Sequence, residues 1–213
     1  MNLEEYSLLI SVVSAFIALA SLIIIFLIQL WNVRLRGIEY QIERNTKLLE
    51  QCFGPLSNYF NQTIVIKELF TDISIEGMTG STNIFRFRAG LLEKMERIWD
   101  QYNFEIKRLN SKLGNEIQFI ITNALGKRSR GDKLEIYYIK TPPSKYLPTE
   151  FNDDELDIKE SEKFIKNALE KWRKEIINQV QQTTNSIAKK LNKDISLRED
   201  RKKLLRHLFM PYS

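Results

Sequence analysis

The sequence predicts an all-α protein, with a single N-terminal transmembrane helix followed by a cytoplasmic antiparallel helical bundle. Three observations point there. Residues 6–33 contain no charged side chain. Beyond them, apolar residues recur at three- and four-residue steps, the period of helices with one buried face. Only eight glycines and five prolines interrupt 213 residues, which favours long helices over many short strands.

The uncharged run "YSLLISVVSAFIALASLIIIFLIQLWNV" exceeds the length needed to cross a hydrocarbon core of roughly 30 Å at about 1.5 Å per residue. Tyr6 and Trp31 stand where interfacial aromatics belong. A cleaved signal peptide would have a basic start and a shorter apolar stretch. Here Glu4 and Glu5 come first, and "SLIIIFLI" follows the cleavage-like "ALA" at 18–20, so residues 1–33 read as an uncleaved anchor spanning about 7–31. Acidic residues lie before the span, and Arg34, Arg36, Arg44 and Lys47 lie after it. That asymmetry puts the amino terminus outside and the main domain in the cytoplasm, with localisation to the cell membrane.

Within the span, Ser7, Ser11, Ser14, Ala18 and Ser21 step by 4, 3, 4 and 3. Small side chains at that spacing let two helices approach closely in lipid. The same seven-residue phase continues through Leu35, Ile42 and Leu49, with Ile38, Asn45 and Cys52 at intermediate positions. Residues 34–53 are therefore expected to be a juxtamembrane helix able to form a parallel coiled coil, making the chain a homo-oligomer. Packing of this helix against its own domain is the simpler alternative.

Gly54 and Pro55 break that helix and open the domain expected over 54–213. Helices are predicted over "PLSNYFNQTIVIKELFTDI", from Ile84 to Leu113 with Gly114 as its stop, over "NEIQFIITNALG", over a long segment from Leu156 to Asn192, and over a short one from Ser196 to Phe209. The connection from Lys127 to Glu155 is the longest irregular stretch, and "KLEIYYIK" inside it has the composition of an extended segment. Tyr59, Phe60, Trp99 and Trp172 fall at core positions of the predicted helices.

Several functions are excluded or disfavoured by residue content. One cysteine, Cys52, rules out an internal disulfide, and one histidine, His207, leaves too few nitrogen and sulfur ligands for a structural zinc site. There is no Walker-type phosphate loop and no Gly-x-Ser-x-Gly elbow, and no cofactor is implied. Asp153, Asp154, Glu155 and Asp157 supply oxygen ligands but also sit where a helix begins, and capping is the simpler reading. Lys127, Arg128, Arg130 and Lys133 form a basic loop suited to lipid headgroups or other phosphates, with nucleic acid a secondary possibility.

The segment "RKKLLRH", Arg201 to His207, resembles the Arg-x(4 to 6)-His motif of HEPN domains, helical folds that often act as dimeric ribonucleases. The resemblance implies His207 as acid/base and Arg201 as phosphate stabiliser. It covers seven residues, and Lys202 departs from the polar residue the family often places there. The layout as a whole is similar to bacterial membrane-anchored effectors of stress or antiviral systems.

These features favour a single-pass, non-enzymatic binding, signalling or effector module that self-associates through its anchor helix and recruits a cytoplasmic partner. A membrane-tethered HEPN-like ribonuclease and an accessory subunit of a larger membrane complex are the alternatives.

Overall fold

A computed structural model describes residues 3–71, 79–88, 90–128, 134–147 and 158–209. Helix α1, Leu3–Lys47, carries the apolar run and passes through Gly37 unbroken. A six-residue π-helical segment, Leu48–Phe53, follows directly and leads into α2, Gly54–Asn61. Gly54 serves a close approach here. Its N–H donates to Leu49 O, five residues back, and a Cβ at this position would lie 2.7 Å from that oxygen. Pro55 sits in the first turn of α2, where a missing N–H costs nothing.

The mostly helical character stands, but an all-α bundle does not. Four antiparallel strands form one sheet: β1 (Ile64–Thr71), β2 (Thr79–Arg88), β3 (Leu125–Arg128) and β4 (Leu134–Ile139), in the order β1-β2-β4-β3. The helix expected over 55–73 ends at Asn61, because Ile64, Val65 and Ile66 are consecutive β-branched residues that suit a strand. Likewise the helix expected from Ile84 starts only at Leu91, since "NIFRFR" alternates with the period of a strand and enters β2. The extended reading of "KLEIYYIK" corresponds to β4.

Helix α3, Leu91–Leu109, and helix α4, Ser111–Asn123, are joined at Asn110, whose side chain accepts from Leu113 N–H and caps α4. Gly114 is thus interior to α4, not the stop of α3. It is buried, and a Cβ would stand 2.6 Å from Lys107 Cγ and 3.3 Å from Lys107 Cα, so glycine lets α3 and α4 pack closely. A 3-10 turn, Ser144–Tyr146, precedes α5, Ile158–Phe209. Helix α5 has 52 residues and absorbs the short terminal helix expected from Ser196, because no glycine or proline occurs between 158 and 209.

The chain divides into two compact units, Met1–Thr46 with Lys189–Ser213, and Lys47–Ala188. The end of α5 groups with α1 in the first of these units. In the second unit, Phe53, Leu56, Phe60, Phe85, Phe87, Met95, Ile106, Leu113, Ile117, Ile120 and Trp172 are fully buried. Trp172 is central: its ring lies 5.1 Å from Phe85, 5.6 Å from Phe119 and 6.4 Å from Tyr146. Burying an indole of this size is worth about 4 kcal/mol. On a separate apolar cluster of the sheet, Ile84 and Tyr138 are buried with Ile66 partly covered.

Candidate functional site

The most concentrated polar chemistry in the second unit centres on Glu116. This carboxylate, on α4, is 2% exposed although it sits between Leu113, Ile117 and Ile120 on the apolar face of its helix. Trp172 Nε1 donates to Glu116 Oε2 at 2.6 Å, Tyr146 Oη donates to Oε1 at 3.4 Å, and the Lys145 ammonium pairs with Oε1. The three donors come from α5 and the 3-10 turn, so one carboxylate ties three segments together. Burial pushes the Tyr146 hydroxyl well above the usual phenol range, aided by the charges of Glu116 and Glu175 and hydrogen bonds to both. A second tie joins α5 to the α2–β1 turn: Arg173 Nε donates to Thr63 O at 2.8 Å, and the Thr63 hydroxyl donates to Phe60 O at 2.6 Å.

With donors from the 3-10 turn and from α5, the buried carboxylate fastens α4 to both segments. Beside it runs an open groove of about 530 Å³ along Asn167, Glu170, Lys171, Lys174, Glu175 and Asn178. Two lysines balance two glutamates there, and the groove favours neither anion nor cation. A smaller hollow of about 200 Å³ lies among Leu109, Gln182, Thr183, Ser186 and Ile187. No group of metal-ligating side chains occurs among the described residues.

In the first unit, α1 and the end of α5 meet at two points. Asn45, 7% exposed, donates through Nδ2 to Asp194 Oδ2 at 3.4 Å, and the Arg201 guanidinium lies 5.8 Å from the Trp31 ring centre. The latter is a cation–π distance. Going from Asn45 back to Trp31 along α1 corresponds to going from Asp194 forward to Arg201 along α5, so the helices run antiparallel.

The residues singled out in the sequence distribute as follows. Ser7, Ser11, Ser14, Ala18 and Ser21 are all exposed on α1, with Ser11 Oγ donating to Ser7 O and Ser21 Oγ to Ile17 O. Leu35 and Ile42 are half-buried, and Leu49 packs against the core of the second unit. Phe60 and Trp172 are core residues, as expected, and Tyr59 and Trp99 pack partly buried against them. Lys127 and Arg128 close β3. Arg130, Lys133 and the acidic group Asp153, Asp154, Glu155 and Asp157 lie outside the described residues. Arg201 and His207 share α5, where a six-residue separation turns them about 120° apart around the axis. Arg201 is already engaged with Trp31.

Comparison with protein-family models, with curated proteins and with solved structures gives no match. Among the described residues, one helix, within α1, is long and apolar enough to cross a membrane: an eighteen-residue window reaches a mean hydropathy of 2.9 with none of it buried.

The sequence reading missed Glu116, Lys145 and Tyr146. A signal for the first existed, since Leu113, Glu116, Ile117 and Ile120 follow the steps of one helix face and place a carboxylate among apolar residues. No such signal announced its donors.

Proposed function

We propose that this chain is a single-pass membrane protein, with its amino terminus outside and its folded domain in the cytoplasm, that works by binding a partner rather than by catalysis and self-associates through its span. The supporting observation is the uncovered apolar length of α1: Phe16, Leu22, Phe26 and their neighbours are more than half exposed, and none of the most apolar window is buried. So large an apolar surface is unfavourable in water and calls for lipid. The orientation rests on Glu4 and Glu5 before the span against Arg34 and Arg36 after it.

Self-association is assigned to the small-residue side of the span alone. Ser11 and Ser21 satisfy their hydroxyls on their own helix, so close packing would be the driving contribution. Farther along, Asn45 donates to Asp194 and Leu49 packs against the core of the second unit, which favours the small-residue side of the span as the surface for self-association.

The test is extraction of native membranes with alkaline carbonate. The protein is expected to remain in the pellet and to leave it only with detergent. Release by carbonate alone would overturn the anchor.

A further inference from the structure

We infer that the carboxyl-terminal end of α5 is a docking element for the anionic headgroups of the membrane that α1 enters. This rests on the anchor reading and extends it. The argument starts from Trp31, which lies near the end of the uncharged run and marks the membrane–water boundary on the domain side. Arg201 lies over its ring, so α5 reaches that boundary. The Asn45–Asp194 contact fixes the direction: α5 runs toward the bilayer as α1 runs away from it.

Helix α5 does not stop at Arg201. It continues to Phe209, eight residues or about 12 Å farther, enough to cross one headgroup layer of roughly 5–7 Å and reach the acyl boundary. From Arg201 to Arg206 the sequence is "RKKLLR", with four basic and no acidic residues, and Arg34 and Arg36 follow Trp31 within five residues on the domain side of α1. Lys203 and Leu204 are exposed, which combines a charge for phosphates with an apolar side chain for the acyl boundary. Basic residues also complement the negative end of a helix dipole, but that effect is confined to the last turn and does not account for Arg201, Lys202 and Lys203.

The same helix supplies Trp172 and Ile176 to the core of the folded domain. Lipid charge is thereby read by an element that is integral to the fold.

The test uses the full-length protein with Leu204→Cys carrying an environment-sensitive fluorophore, and the buried Cys52 does not compete for label. It is reconstituted in vesicles of phosphatidylcholine alone, or of phosphatidylcholine with phosphatidylglycerol. Anionic vesicles are expected to shift the emission to the blue and to reduce quenching by aqueous iodide by about twofold or more, an effect that salt weakens. The triple change Arg201→Glu, Lys202→Glu, Lys203→Glu is expected to abolish it. Equal quenching in both vesicles, whether the label is wet or buried, would overturn headgroup recognition. Flotation of the same vesicles separates the two readings: protein that fails to float refutes the anchor, whereas protein that floats without a lipid-dependent signal refutes only the docking element.

Discussion

Replacing Glu116 by alanine orphans the indole N–H of Trp172 in a fully buried position, where an unmet donor costs about 1–3 kcal/mol. The other two donors matter less. Tyr146 keeps its hydrogen bond to Glu175, and the side chain of Lys145 is 52% exposed and returns to water. A small gain in helix propensity for alanine offsets only a few tenths of a kcal/mol. The net loss is about 1–3 kcal/mol, which for a domain of this size lowers the melting temperature by roughly 3–10 °C. Glu116→Gln retains an oxygen to accept from the indole and is expected to lose about 1 kcal/mol. The assay is thermal unfolding of the full chain in detergent, followed by tryptophan fluorescence. A Trp172→Phe background decides the cause, because without an indole N–H the alanine change should cost markedly less. The reasoning fails if Glu116→Ala costs the same in both backgrounds, or costs nothing in the native one.

Other outcomes follow from the same contacts. Gly114→Ala drives a methyl against Lys107 Cγ and crowds its Cα, and is expected to cost about 1–3 kcal/mol, seen as a lower denaturation midpoint in urea, although alanine is the better helix former. Arg173→Met removes the donor to Thr63 O and should cost about 1–2 kcal/mol in the same measurement. Burial, then the charge of Glu105, pushes the Cys52 thiol from 9.0 up to about 12. A raised folded-state value keeps the proton on in the folded protein while the unfolded chain loses it. Stability is therefore complete below pH 9 and falls as pH rises toward 12, by up to about 4 kcal/mol. Melting temperatures recorded from pH 8 to 11 should decline less steeply in Cys52→Ala, with Tyr146 sustaining part of the decline above pH 10 in both proteins.

Much of the helical framework is legible in the sequence because it depends on local period. The face Leu91, Leu92, Met95, Ile98 of α3 and the face Leu169, Trp172, Ile176, Val180 of α5 each repeat at helical steps and bury as that pattern requires, whereas the uncharged run is helical with none of its most apolar window buried. The sheet is less legible because its strands are ambiguous over short windows. Tyr59, Phe60 and Ile66 are spaced like a helix face across a segment in which helix gives way to strand at Thr63, and only the pairing of Ile64 to Arg86 and Val65 to Phe85 resolves the choice. Such pairing is set by residues twenty or more positions away. The Glu116 cluster is hidden for the same reason, since its donors stand 29 to 56 residues from it along the chain. The seam from Leu35 to Leu49 shows the converse case. Its period suits a partner helix, but the chain provides its own contacts for Asn45 and Leu49.

The position of α5 in the chain shapes how the protein can be made. On the proposed anchor reading, the apolar helix α1 leaves the ribosome before the domain that follows it and enters the membrane while that domain is still being made. The strands that bear Phe85 and Phe87 emerge next, yet Trp172, against which Phe85 packs, belongs to the last 52-residue helix. Domains that close on a late segment cannot complete their core during synthesis. On that reading the nascent chain is held at the bilayer with its aromatic core open until Trp172 on α5 has emerged. A truncation before residue 158 should yield a membrane-bound chain that proteases and chaperones treat as unfolded.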